Sequence, residues 1–307
     1  MDKVIVIAGP TASGKTDLAV EFALRVNGEV ISADSMQIYR EMDIGTAKPA
    51  MEERKGILHH LIDIVNPDEE YSVASFQADA KACIQGILSR GKVPVIAGGT
   101  GLYINALVYN VIFSEIESSW EYRRHLESLA KEHGPRYLHG LLMEVDAKSA
   151  AAIHPNNIKR VIRAMEVYEA TGKPISEHQK ESRREPPPYD YRIFGLRVER
   201  DLLYSRIEKR TDKMMDRGLY EEVEGILKKG YSPGLVSLQG IGYKEIIEAI
   251  QGKCTLPEAV ENIKLATRRL AKRQITWFRK TEGLKWIDTS EHNSWAMLKI
   301  LVDALNI

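Results

Sequence analysis

The stretch Gly9-Pro-Thr-Ala-Ser-Gly-Lys-Thr16 matches G-x-x-x-x-G-K-[ST] at every fixed position, Gly9, Gly14, Lys15 and Thr16. Its residue types suit phosphate. Glycines let successive backbone N–H groups turn inward without a Cβ clash, and a helix starting at the end of the loop adds partial positive charge where an anion would lie. Lys15 would bring a full charge to the outer phosphate and Thr16 a hydroxyl to Mg²⁺, with Pro10, Thr11, Ala12 and Ser13 completing the cradle. Asp34 is the next candidate. At a strand end an aspartate often serves only as a turn former or helix cap. Beside a bound diphosphate, however, a carboxylate is unfavourable unless it has a task. Two tasks suit it: general base toward an attacking nucleophile, or Mg²⁺ ligand through water.

Three strands are expected to position these groups, over residues 4–8, 29–33 and 93–97, alternating with helices from Asp17 and over residues 73–90. Such alternation predicts a parallel sheet with helices on both faces and ligands at the carboxyl ends of the strands. The glycine loop follows the first strand, Asp34-Ser35 the second, and Gly98-Gly99-Thr100-Gly101 the third, so all three groups should gather at one sheet edge. From about 114 to 184 the pattern changes to charged amphipathic helices, for example 121–131 and 157–170, ending at Arg183-Arg184-Glu-Pro-Pro-Pro-Tyr189, where three prolines favour an extended connector. The expected architecture is therefore α/β: a P-loop core of residues 1–113 and 190–307 with an all-helical insertion at 114–189. Residues 191–198 read as a strand returning to the sheet, with helices thereafter.

Composition is that of a soluble globular chain. Of 307 residues, 44% are hydrophobic and 28% charged, and no apolar run approaches the ~18 residues of a membrane helix. Residues 1–3 lead directly into the first strand and leave no room for a signal peptide, so a cytoplasmic location is expected. Cys83 and Cys254 stand alone, arguing against disulfides and zinc. Lys plus Arg equals Asp plus Glu at 43 each, yet residues 264–280 hold Lys264, Arg268, Arg269, Lys272, Arg273, Arg279 and Lys280 with no acid among them. A local basic face on a neutral chain points to one anionic partner docked at one place.

A phosphate loop alone also serves ATPases, GTPases and small-molecule kinases. Hydrolysing NTPases carry an apolar strand ending in a Mg²⁺-holding aspartate. Here residues 93–97 end in Gly-Gly-Thr, and Leu61-Ile-Asp-Ile-Val65 offers only Asp63 in a short run. Two rivals stay open on these residues: a kinase in which Asp34 accepts a proton from an alcohol, disfavoured by the basic segment, and a nucleotide-switched RNA binder, disfavoured by Asp34 beside the cradle.

Seven stretches, running in order over nearly the whole chain, resemble the bacterial tRNA dimethylallyltransferases. They are the glycine loop, Ile31-Ser-Ala-Asp-Ser-Met-Gln-Ile-Tyr39, Met42-Asp-Ile-Gly-Thr-Ala-Lys-Pro49, Gly98-Gly-Thr-Gly-Leu-Tyr103, His154-Pro-Asn, Gly242-Tyr-Lys and Thr267-Arg-Arg-Leu-Ala-Lys-Arg-Gln-Ile-Thr-Trp277. The resemblance implies transfer of a dimethylallyl group from its diphosphate to N6 of the adenosine 3′ of the anticodon, in tRNAs reading codons that begin with U. It implies Mg²⁺ at the diphosphate; in keeping with the two isolated cysteines no zinc is expected, and a monomer is expected. It gives residues 9–16 to the diphosphate, Asp34 to the adenine amine as base, Thr100 to a hydrogen bond at the reaction centre, and Arg123 to a place near the diphosphate. For tRNA contact it implies Asp34, Ser35, Met36 and Gln37; Lys159, Arg160 and Arg163; Gln239, Gly242, Tyr243 and Lys244; and the segment from Arg273 to Arg279. Arg268, Arg269, Lys272 and Arg273 fall mostly on one helical face with Arg279, and Gln274 and Thr276 offer polar contacts beside them. Trp277 and Phe278 are read as core residues rather than base-stacking ones, and His59, His60 and His154 as packing or capping residues.

Overall fold

The computed structural model describes residues 1–113, 119–182 and 184–306. They form two compact units, Met1–Val108 with Pro188–Ile307, and Tyr109–Pro187. In the first unit β1 (Lys3–Ala8), α1 (Lys15–Val26), β2 (Gly28–Ser32), α2 (Met51–Arg54), β3 (His59–His60), α3 (Val73–Ser89), β4 (Val93–Gly98) and α4 (Gly101–Val108) come first. The second unit is helical: α5 (Trp120–His133), α6 (Pro135–Val145), α7 (Ala147–Ala152), α8 (Ile158–Thr171) and α9 (Ile175–Glu181). It has its own core, in which Leu126, Leu138, Leu142, Val161 and Ile162 pack together. The chain then returns to the first unit as β5 (Asp190–Arg197), α10 (Arg200–Asp216), α11 (Leu219–Lys228), α12 (Tyr243–Ile250), α13 (Leu256–Phe278), β6 (Lys285–Asp288) and α14 (Ser294–Asp303).

The strands make one parallel sheet in the order β3-β2-β4-β1-β5-β6. Burial explains the run Val4-Ile-Val-Ile-Ala8, whose side chains are wholly inaccessible: a parallel sheet covered on both faces needs unbroken rather than alternating apolar residues. On one face α1 and α14 contribute Phe22, Leu18 and Leu301 to the core against Ile5, Ile7 and Phe194. Two edge strands were not expected from the sequence, the two-residue β3 and the short β6. The run 61–65 is no strand, since Leu61 and Asp63 take left-handed φ values of 60° and 58°.

Two registers place the chemistry. Ala8 pairs with Gly98 across β1 and β4, and Ser32 with Ala97 across β2 and β4. The loops after all three strands therefore leave the sheet at one edge, as the alternation predicts. The long α13 starts where a capping box is written: Thr255 Oγ1 accepts the Glu258 N–H, Glu258 returns the bond to the Thr255 N–H at 2.8 Å, and Pro257 occupies the first turn. Among the described residues no helix is long and apolar enough to cross a membrane.

Candidate active site

The glycine loop turns into α1 through Gly14, whose φ of 86° lies in the left-handed region that glycine adopts without strain. Ser13 is buried, and its hydroxyl has no hydrogen-bond partner among the described residues. Lys15 Nζ folds back to donate to the Pro10 carbonyl at 3.2 Å. Burial lowers its pKa to about 8, a fall that the Asp34 charge opposes and the Arg210 charge assists. The loop is also held from outside. Gln274 of α13 accepts the Thr11 N–H at 2.9 Å and donates to the Gly99 carbonyl at 3.0 Å, and Arg210 donates to the Thr11 hydroxyl at 3.2 Å.

A cavity of about 580 Å³ opens in front of this loop. Its wall includes Arg206, Lys209, Arg210 and Lys213 from one side of α10 and Arg217 just past its end. Nothing in the motifs singles out this row, although the spacing 206, 209/210, 213, 217 marks a single helix face. Burial lowers the pKa of Arg210, and the nearby Asp34 carboxylate opposes the shift. The cavity is thus strongly cationic, with Asp17 and Glu53 as the acids on its wall. Such a site draws in and holds a multiply charged anion.

Asp34 stands two residues past the end of β2 with one oxygen committed: Oδ1 accepts the Met36 N–H at 2.9 Å, and Oδ2 has no partner among the described residues. Its turn is fastened to the loop after β4. The Thr100 hydroxyl accepts the Ser35 N–H at 3.0 Å and donates to Ser35 Oγ at 3.3 Å, while the Thr100 N–H reaches the Ala33 carbonyl at 3.1 Å. Asp34, Ser35 and Thr100 therefore form one rigid constellation. Because β2 and β1 flank β4, this constellation and the glycine loop leave the sheet at the same edge, where the Asp34 charge opposes the lowering of the Lys15 and Arg210 pKa values by burial.

The segment 42–49 forms another wall, held from inside. Gln37, expected to touch RNA, instead accepts from the Ser32 hydroxyl at 3.0 Å and donates to the carbonyls of Thr46 and Ala47. Lys48 is buried and donates to Asp43 at 2.7 Å, to the Tyr39 carbonyl at 2.5 Å and to Asp63. Asp63 is thus neutralised by a lysine, which argues against its use as the metal-holding aspartate of an NTPase. Glu222 accepts the backbone N–H groups of Asp43, Ile44 and Gly45 at 2.9, 2.7 and 3.1 Å, and the Tyr243 hydroxyl at 2.6 Å. Tyr243, read as an RNA contact, is wholly buried. Its ring is core and its hydroxyl anchors Glu222, because α12 turns that face toward α11 and α13.

On α13 the basic block divides. Lys264 pairs with Asp212 at 2.8 Å and Glu261 at 3.0 Å, and Arg268 pairs with Glu208 at 3.1 Å and lies over Tyr204. Both face α10 and are not free for RNA as the unneutralised stripe implied. Arg269, Lys272, Arg273, Thr276, Arg279 and Lys280 are exposed, and their side chains carry no ion pair among the described residues. Gln274 likewise points inward, for the reason given above, and Phe278 is core with Trp277 packed beside Gly101. Gln239 donates to the Pro233 carbonyl at 2.9 Å and remains exposed, as does Lys244; Gly242 is buried at the head of α12. Met36 lies against Gly240. In the helical unit, Glu166 grips Arg123 through two bonds of 2.8 and 3.1 Å and stands 3.7 Å from Arg163, while Lys159 and Arg160 are exposed. His60 is more than packing, since it meets the buried Glu29 at 2.7 Å.

A family model described as IPP transferase matches residues 37–281, and one described as isopentenyl transferase matches residues 2–65. The chain is 57% identical to the tRNA dimethylallyltransferase of Acetivibrio thermocellus over 96% of its own length and 94% of the relative's. To that of Caldanaerobacter subterraneus subsp. tengcongensis it is 52% identical, over 97% and 95% of the two chains. The full-length tRNA isopentenylpyrophosphate transferase of Bacillus halodurans superposes with a TM-score of 0.75 at 42% identity, covering all of this chain and 97% of that one. A eukaryotic dimethylallyltransferase caught acting on tRNA gives 0.80 at 33% identity, covering 94% of this chain and 74% of that one. A glycine loop, an aspartate turn and a threonine loop on one sheet edge, matched over nearly the full length, show that this chain belongs to the IPP transferase family and is a transferase.

Proposed function

We propose that this transferase moves the dimethylallyl group of dimethylallyl diphosphate to N6 of the adenosine 3′ of the anticodon, in tRNAs reading codons that begin with U, and releases diphosphate. One observation carries the reading: the cationic cavity of the glycine loop lies beside the Asp34–Thr100 constellation at a single sheet edge. An adenine amine is a poor nucleophile because its lone pair is delocalised into the ring. Asp34, whose Oδ2 has no partner among the described residues, accepts the N6 proton as the N6–carbon bond forms, an assistance of roughly 10²–10⁴-fold. The carbon–oxygen bond to diphosphate breaks in the same displacement, and the loop amides, Lys15 and Arg210 take up the charge that develops on the departing group. Thr100, clamped to Ser35, orients the acceptor. Extruding the base from its stack costs a few kcal/mol, which phosphate contacts by Arg269, Lys272, Arg273 and Arg279 offset.

The residues present fit Mg²⁺. This ion keeps several waters and takes one or two protein oxygens beside phosphate oxygens, and the cavity offers the Thr16 hydroxyl with the Asp17 and Glu53 carboxylates. The buried Ser13 hydroxyl, without a partner among the described residues, supplies a further oxygen in the loop. Bound with the diphosphate, Mg²⁺ would neutralise the oxygens of the leaving group. For Arg123 we propose a role at the diphosphate with Glu166 as its support, and for Lys159, Arg160, Arg163, Gln239 and Lys244 contact with the RNA. A cytoplasmic monomer needing no zinc completes the reading.

The test is to incubate the protein and Mg²⁺ with labelled dimethylallyl diphosphate and total tRNA, then digest to nucleosides. Label in a modified adenosine is expected. Label absent from RNA, or ATP-dependent phosphorylation of a metabolite instead, would overturn the reading in favour of a kinase.

A further inference from the structure

A second large recess lies at the same carboxyl edge of the sheet, where β5 ends. It has a volume of about 570 Å³ and is walled by Arg197, Arg200, Tyr204, Lys272, Arg279 and Trp286 over an apolar floor from the small core between α10 and α13. Nothing in the transfer chemistry uses it.

The wall is built rather than incidental. Trp286 of β6 stands in register with Gly195 of β5, and a Cβ at that glycine would come within 3.0 Å of the indole. Glycine therefore makes the room that the ring occupies, and Trp286 is still 37% exposed. Glu199, the carboxylate on this wall, is engaged by the N–H groups of Asp201 and Leu202 at the start of α10, at 2.9 and 3.0 Å. The cations are freer. Lys272 and Arg279 form no ion pair among the described residues, Arg197 reaches Asp288 only at 3.8 Å, and the Arg200 guanidinium lies 5.3 Å from the centre of the Tyr204 ring.

An apolar floor, an accessible aromatic ring and a rim of unneutralised cations suit a ligand with a flat face and an attached negative charge, which is the chemistry of a nucleotide. The choice between a free nucleotide and one within a strand follows from position. Lys272 and Arg279 continue directly into the exposed basic face of Arg269 and Arg273 on α13 and Lys280 just past its end, a surface that suits a chain of phosphates. In the strand order, β5 stands two places from β4 and three from β2. Strand spacing then puts the recess about 10–15 Å from Thr100 and Asp34, which the same RNA loop can span.

We infer that this recess holds a nucleotide of the bound RNA other than the one being modified, its base against Trp286 and its phosphate among Arg200, Lys272 and Arg279. The inference rests on tRNA being the substrate. It makes Arg200 and Trp286 determinants of RNA affinity with no part in donor binding.

The experiment uses the full chain, an anticodon stem-loop RNA and dimethylallyl diphosphate. Trp286→Ala should weaken RNA binding about five- to tenfold. Arg200→Ala should reduce the slope of log affinity against log salt by about 1. Both should leave the donor KM unchanged, and Trp286→Phe, which keeps an aromatic face and the packing, should restore most of the affinity and guard against a folding defect. RNA should quench tryptophan fluorescence in the parent more than in Trp286→Phe. Normal RNA affinity and salt slope in the Ala variants, with transfer intact in the parent, would overturn the recess while leaving the proposed function standing. Saturating quench by AMP alone, undiminished by later RNA, would assign the recess to free nucleotide and also overturn it. A parent protein that neither binds nor modifies tRNA would remove both readings together.

Discussion

The side chain of Gln274 bridges two loops from distant parts of the chain, accepting the Thr11 N–H at 2.9 Å and donating to the Gly99 carbonyl at 3.0 Å. One amide of the phosphate loop is thereby withheld from the ligand, and the loop is fastened to the helix that carries the exposed basic face. Gln274→Met keeps the bulk and removes both bonds. A buried polar group left unpaired costs about 1–3 kcal/mol, so the donor KM should rise roughly tenfold or more, with RNA affinity little changed. Gln274→Glu retains the acceptor for Thr11 but sets a carboxylate against the Gly99 carbonyl and beside the diphosphate, so it should raise the donor KM at least as much. Steady-state kinetics with varied donor decides, and an unaltered KM in Gln274→Met would remove the bridge from the account.

The lowered pKa of Lys15, about 8 with burial as its main cause, gives donor affinity a pH limb. Below that value the ammonium prevails and holds the diphosphate; above it the charge is lost. Affinity should therefore fall as pH rises through about 8, by up to the worth of a charge-assisted bond, about 1.5–3 kcal/mol. The stability effect runs the other way. The folded pKa lies below the ordinary 10.5, so holding the ammonium is unfavourable below pH 8, and that penalty fades between 8 and 10.5. Calorimetric titration of the donor across this range should show the limb in the parent protein and none in Lys15→Met.

Asp34→Asn should separate chemistry from binding. The amide oxygen still accepts the Met36 N–H that shapes the turn, so RNA affinity should stay within about twofold. Proton acceptance is lost, and single-turnover transfer should slow by roughly 10²–10⁴-fold. Equal losses in transfer and in RNA binding would make Asp34 a structural residue.

Glu29 sets the acid limit of the fold. Burial alone would raise its pKa, but hydrogen bonds from Arg90 at 2.6 Å, Lys92 at 2.9 Å and His60 at 2.7 Å prevail and hold it at about 2. Because the folded value lies below the ordinary 4.5, its contribution is complete above that pH and disappears as pH falls toward 2. The difference amounts to about 3 kcal/mol. Denaturant unfolding of Glu29→Gln should show a loss of this order at neutral pH that shrinks steadily in acid. A constant difference between variant and parent at every pH would refute the linkage.

How far the architecture is legible in the amino acids depends on what each residue answers to. The loops at the sheet edge follow unbroken apolar runs such as Val4-Ile-Val-Ile-Ala8, and a parallel sheet must bring their carboxyl ends to one side. β6 escapes notice because Lys285-Trp-Ile-Asp288 is short and mixed, and its pairing with β5 comes from a distant part of the chain. Gln274 and Arg268 read as outward polar residues because periodicity shows which residues share a helix face and not which face turns inward; here Glu208, Thr11 and Gly99 supply that answer. Arg210 reads as an ordinary helix arginine until the fold sets α10 against the glycine loop. Tyr243 sits in a stretch resembling an RNA-contacting motif, yet Glu222 claims its hydroxyl.

The central position of β1 has a consequence for synthesis. One of its edges is met by β4, and the other waits for β5, which follows only after the whole helical unit has been made. At ribosomal speeds of about 5–20 residues per second, that delay lasts roughly five to twenty seconds. Through that interval the emerging polypeptide presents an open apolar strand border, a template for misassociation, and a chaperone that shields it would raise the yield of native protein without touching the finished molecule.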